Sequence, residues 1–182
     1  MLNVPHRHVV LTIPDKLRPL FMRPCENRMV PHWGRIKGMM DCSIKVISHT
    51  MKWSRNKEMK PGIVAVIHTF GRDMKFNPHI HCLVTEGGFR KNGEWVPIEY
   101  IYETLRNARQ YEILTELKRW AIVKYSKRNR KLIDSLFKEY PQGFYVYAKD
   151  RVKGKKNIAK YIGRYIRHPA IANSRIESYD TT

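Results

Sequence analysis

Four side chains carry most of the chemical potential of this 182-residue sequence: His79, His81, Tyr161 and Tyr165. His79 and His81 stand two apart in HIHCLVTE, an apolar run with strand character, so both imidazoles project from one face of the sheet it would join. Neutral imidazole is a common metal ligand, and a pair held on a rigid strand is already positioned to share one ion. His68 lies in the preceding apolar run, GIVAVIHTF. A hairpin turning through residues 71 to 78 sets it near His79 or His81, as a candidate third ligand. His-x-His in a strand is also the pattern of two polar residues on an exposed face, and His68 in a strand also fits a semi-buried polar position. The metal reading therefore depends on what else shares that face.

Tyr161 and Tyr165 are four apart in a helical pattern and stack on one side of it. Ile158, Ile162 and Ile166 form the apolar stripe of that helix. At about 100° per residue, Tyr165 lies about 60° and Tyr161 about 100° to the same side of the stripe's centre. Tyrosines flanking a stripe are ordinary boundary packing in most helices. A phenol is also a usable nucleophile toward phosphorus when a metal polarises the target. Lys160, Arg164 and Arg167 take the outer side, and Lys153, Lys155 and Lys156 sit in the basic loop before the helix. Lys153, Lys155, Lys156, Arg164 and Arg167 are candidates for binding DNA.

Lys and Arg number 35 against 16 Asp and Glu, a formal charge of +19. Such an excess attracts polyanions, nucleic acid first and an anionic membrane surface second. Its spread along the whole chain, rather than in a tail, favours nucleic acid. Cys25, Cys42 and Cys82 form no CxxC pair, so neither a zinc knuckle nor a disulfide framework follows. No run approaches the ~18 apolar residues of a membrane span, and the first residues do not read as a signal peptide, so a cytoplasmic location is expected.

Without a repeat or low-complexity linker, residues 1–182 read as a single α+β domain. The elements expected are a strand from His8 to Ile13, stopped by Pro14, and two helices over about 16 to 54, broken near Pro24 and Pro31. Then follow the strands GIVAVIHTF and HIHCLVTE, a small ribbon around Lys91-Asn92-Gly93, and a helical stretch from Ile98 to about Leu136. Its expected core positions are Leu105, Ile113, Leu114, Leu117, Trp120 and Ala121. GFYVYAKD alternates as a strand, with Phe144, Val146 and Ala148 on one face and Tyr145 and Tyr147 on the other. A helix from about Asn157 to His168 ends the pattern. This order describes an antiparallel sheet with helices packed on it.

Four segments together resemble the two-tyrosine HUH transposases of rolling-circle insertion sequences, of the insertion-sequence ninety-one type. They are HRHVVLTIPDKLRPLF, VAVIHTFGRDMKFNPHIHCLVTEGG, FYVYAKD and YIGRYIRHPAIANSRIESYD, in that order over most of the chain. The resemblance implies a ferredoxin-like or RRM-like antiparallel sheet with His79-Ile80-His81 as the HUH element on a central strand. It implies that the tyrosine helix lies across the sheet, with Tyr161 and Tyr165 as paired nucleophiles. One divalent ion, Mg²⁺ or Mn²⁺, and single-stranded DNA at transposon ends are the cofactor and partner implied. Asn77 stands where many relatives carry an extra histidine, and Arg167 where some carry one, so His168 receives no role. Relatives usually begin with a cysteine-rich segment and continue beyond the final YD, so the chain reads as truncated at both ends. Two other readings fit the charge: a non-catalytic RRM-like module stacking bases on Tyr145 and Tyr147, and a replication initiator or relaxase with the same chemistry.

Overall fold

The computed structural model describes residues 4–53, 59–71, 73–98, 102–148, 151–152, 159–160 and 163. The first strand, β1 (His6–Leu11), alternates His6, His8 and Val10 on one face with Arg7, Val9 and Leu11 on the other. A 3-10 helix (Asp15–Phe21) follows Pro14 and buries Leu17 and Leu20, whose three-residue spacing eclipses on a 3-10 turn, together with Phe21. A two-stranded ribbon, β2 (Met22–Cys25) and β3 (Arg28–Pro31), turns at Glu26, whose φ is 51°. The long helix α1 (Trp33–Trp53) comes next and buries Ile36, Met39, Val46 and Ile47 along one stripe.

The expectation of two helices over 16 to 54 is therefore corrected to a 3-10 helix, a ribbon and one helix. Pro24 and Pro31, taken there as helix breaks, instead lie within this isolated pair of strands. The missing N–H is tolerated where no third strand needs it.

The strands β4 (Lys60–Phe70) and β5 (Phe76–Phe89) form the long hairpin, and β5 turns again through residues 90 to 94 into β6 (Trp95–Pro97). The register skips between His68 and Phe70, where two residues of β4 answer three of β5, and this bulge admits Pro78 into the strand. The helices α2 (Tyr102–Arg119), α3 (Ala121–Lys124) and α4 (Lys127–Glu139) make up the helical stretch expected from Ile98 to about Leu136. Ser126 starts a new helix by accepting a hydrogen bond from the Asn129 backbone N–H, at 3.2 Å. Leu105, Ile113, Leu114 and Leu117 are fully buried and Trp120 half-buried, while the side chain of Ala121 lies outside the described set.

The last strands are β7 (Val146–Tyr147), which pairs with β1, and β8 (Arg151–Val152), which pairs with the start of β1. The expected alternation holds, with Phe144, Val146 and Ala148 buried and Tyr145 exposed, although the paired part is only two residues long. The expected helix from Asn157 to His168 falls mostly outside the described residues, of which 159–160 and 163 are helical.

The main sheet runs β4-β5-β1-β7, all neighbours antiparallel, with α1 connecting β1 to β4 and α2 to α4 connecting β5 to β7. This is the βαββαβ order of a ferredoxin-like fold, and it puts β5 between two partners. Ile80, Cys82 and Val84 of β5 share one face with Val9 and Leu11 of β1 and with Ile63, Ala65 and Ile67 of β4. That face joins the helices in the core. The odd-numbered residues of β5, including His79 and His81, point the other way.

Candidate metal centre

On that second face the register sets His68 of β4 directly opposite His79, and Val66 and Val10 on either side of His81. Directly opposed residues in an antiparallel pair point to the same side, so three imidazoles converge. Their ring centroids lie 5.4 Å apart for His68 and His79, 4.5 Å for His68 and His81, and 5.0 Å for His79 and His81. One nitrogen from each falls within 4.8 Å of the other two, which is the arrangement of three ligands around a single ion. Ile80, between His79 and His81, is fully buried on the helix face. The pair is thus anchored through the core rather than held on a loop.

The electrostatics favour neutral imidazoles. Burial pushes the pKa of His79 below its ordinary value, with the nearby His68 and Arg18 adding to the effect against a hydrogen bond to the Asn77 carbonyl. Burial also pushes His81 down to about 3, reinforced by His68, His79 and His8. Such groups refuse a proton at neutral pH and keep a lone pair for a cation. The His79 Nδ1–H donates to the Asn77 carbonyl at 2.6 Å, which leaves Nε2 as the ligand nitrogen. The residues present fit a divalent ion.

A fourth histidine belongs to this face. His8 of β1 is buried, its Nε2 lies 3.0 Å from His81 Nδ1, and the two rings stack at 5.2 Å and 15°. Tyr147 presents an edge to His8 at 6.0 Å. The sequence held a signal for His8 in the alternation of HRHVVL, but only the β1–β5 register reveals that it neighbours His81. Arg18 also went unread, because its approach to His79 depends on where the 3-10 helix packs. Tyr161, Tyr165, Lys153, Lys155, Lys156, Arg164 and Arg167 lie outside the described residues. Arg151, at the head of that basic loop, pairs with the buried Glu86 at 3.0 Å, and Arg7 bonds the same carboxylate at 2.7 Å. Among the described residues no helix is long and apolar enough to cross a membrane.

The family Y2_Tnp, described as "Putative transposase", matches residues 62–182, a span that includes His68, His79 and His81. The chain is 27% identical over 189 aligned residues to the transposase for insertion sequence element IS801 of Pseudomonas savastanoi pv. phaseolicola, covering 97% of this chain and 42% of that protein. It is 22% identical over 190 residues to a protein of Sinorhizobium fredii named "Putative transposase y4qJ", covering 97% of this chain and 46% of that one. The chain thus spans less than half the length of these relatives. No solved structure matches it. With a family match over about two thirds of its length and the three histidines inside the match, the chain belongs to the Y2_Tnp transposase family.

Proposed function

We propose that residues 1–182 form the HUH catalytic domain of a rolling-circle transposase of the insertion-sequence ninety-one type. In this reading the domain cleaves and rejoins single-stranded DNA at transposon ends through a 5′-phosphotyrosine. The observation that carries the reading is the convergence of His68, His79 and His81 on one face of the central sheet. These three side chains would hold one divalent ion, Mg²⁺ or Mn²⁺. When bound, the ion supplies Lewis acidity to a non-bridging oxygen of the scissile phosphate.

The nucleophiles in this reading are Tyr161 and Tyr165. A phenol oxygen forms a bond to phosphorus in line with the departing 3′-oxygen, the phenol proton is lost, and the P–O3′ bond breaks. The 3′-oxygen takes up a proton and leaves as a free hydroxyl, while the 5′-phosphate stays on the tyrosine. The phosphodiester is exchanged rather than hydrolysed, so a 3′-hydroxyl can later attack the adduct and restore both bond and phenol without ATP. A second phenol permits a second exchange while the first is occupied, which gives a physical reason for two. Lys153, Lys155, Lys156, Arg164 and Arg167 would contact DNA phosphates, consistent with the charge of +19.

The test is His79→Ala and His81→Ala, each assayed for cleavage and for binding of single-stranded DNA. Cleavage should vanish while most affinity remains, because affinity comes chiefly from phosphate contacts. Wild-type cutting in excess EDTA would contradict the proposal and favour metal-free chemistry, whereas binding of single-stranded DNA with no cutting in Mg²⁺ or Mn²⁺ would favour the rival RRM-like module.

A further inference from the structure

We infer that His8 is a positioning residue for the metal centre, holding His81 in the tautomer whose Nε2 faces the ion. This rests on the proposed metal role of the triad. The two HUH histidines solve the same problem by different means. His79 stands next to the β5 bulge, where the Asn77 carbonyl accepts its Nδ1–H at 2.6 Å. His81 lies in the middle of β5, paired on one side with Val66 and on the other with Val10, so the surrounding backbone groups are engaged in two ladders. An acceptor for its Nδ1–H must therefore come from a side chain.

His8 meets that need. It lies on β1 opposite Leu83, one diagonal step from His81 on the same face. Its Nε2 sits 3.0 Å from His81 Nδ1, and the nearly parallel ring stack limits rotation of both imidazoles. Between two neutral imidazoles one nitrogen donates and the other accepts. If His8 donated, His81 would carry its proton on Nε2 and lose that nitrogen as a ligand. A ligand Nε2 thus requires the arrangement in which His81 Nδ1–H donates to His8 Nε2, and His8 holds that arrangement before the ion arrives. His8 is then an acceptor that sets orientation and ligand basicity without touching the ion, a role whose loss typically weakens metal binding by about 10–100-fold.

The experiment measures Mn²⁺ affinity by electron paramagnetic resonance on the full chain, independently of cleavage. His8→Phe keeps ring volume and stacking but removes the acceptor, and should weaken Mn²⁺ binding by about 10–100-fold. His8→Gln, with an amide oxygen able to accept, should recover most of the loss, which a purely packing role would not allow. Thermal melts in EDTA verify that the variants are folded. Nitrogen-15 imidazole spectra of the metal-free wild-type protein, which need no variant, should show His81 protonated on Nδ1. Equal Mn²⁺ affinity in folded His8→Phe and wild type, or a His81 proton on Nε2, overturns the inference while the metal reading stands. Absence of Mn²⁺ binding by the wild type, with His79→Ala as the control, removes the metal reading and this inference with it.

Discussion

Replacing Arg109 with Met should make the protein more stable. Arg109 of α2 is fully buried, and its Nε and Nη2 have no hydrogen-bond partner among the described residues. Nη1 reaches the Met39 carbonyl at 3.4 Å, a long bond. Burial pushes the guanidinium from 12.5 down to about 10, with only the Cys42 and Cys82 thiols opposing the shift. At about 1.4 kcal/mol per pH unit, that depression corresponds to roughly 3 kcal/mol against the folded state at neutral pH. The penalty is complete below about pH 10 and is relieved as pH rises through that value, because the folded protein then releases the proton before the unfolded chain does. Two unsatisfied buried groups at about 1 kcal/mol or more each lead to a similar sum. Met fills a comparable unbranched volume and forfeits only the weak Met39 bond, worth under about 1 kcal/mol. The net expectation is a gain of about 2 kcal/mol, or a melting temperature about 4–8 °C higher for a chain of this length. Urea unfolding at pH 7.5 in EDTA measures it. An Arg109→Met protein less stable than wild type would show that the guanidinium has a compensating partner and that the reasoning is wrong.

Three further outcomes follow from the same geometry. Because His81 is pushed down to about 3 in the folded protein, the unfolded chain takes up a proton near pH 6.5 that the folded one refuses. Metal-free protein should therefore hold its full stability above that pH and lose it progressively from about 6.5 toward 3. Urea midpoints at pH 7.5, 5.5 and 4.5 read the slope, which His81→Gln should flatten. Gly143 has φ +77° and an added Cβ would sit 2.4 Å from the Arg106 carbonyl carbon, so Gly143→Ala should cost about 2–3 kcal/mol, measured in the same unfolding assay. Three imidazole nitrogens are softer donors than the oxygens Mg²⁺ prefers, so competition titration should show Mn²⁺ binding at least about 10-fold more tightly than Mg²⁺.

Much of the sheet was legible because strand alternation is a local property. The adjacent apolar runs GIVAVIHTF and HIHCLVTE, separated by one turn segment, identified the hairpin, and its turn region already restricted His68 to the neighbourhood of His79 and His81. The exact His68–His79 opposition depends on the bulge that Pro78 occupies, which periodicity alone does not locate. The region from 16 to 54 misled because Leu17, Leu20 and Phe21 have spacing compatible with an α-helix, yet the chain closes only a 3-10 turn before the Pro-containing ribbon. Breaks at Trp120 and Ser126 were hidden by continuous helix-forming composition, and the second is set by the Ser126 cap. His8 was missed for a different reason: its neighbour is 73 residues away in sequence, and no spacing rule reaches across an unassigned strand order.

The central claim, metal-dependent DNA cleavage through a phosphotyrosine, is tested most directly by looking for the covalent adduct. The protein is incubated with a 3′-labelled random pool of single-stranded oligonucleotides and Mn²⁺, then resolved on a denaturing gel. The account predicts a labelled protein–DNA adduct with wild type, none in EDTA or with His81→Ala, and none when Tyr161→Phe and Tyr165→Phe are combined, since Phe removes only the hydroxyl. Each single Phe variant should retain one of the two transfers. An adduct that persists in EDTA, or that forms in the double Phe variant, would contradict the account.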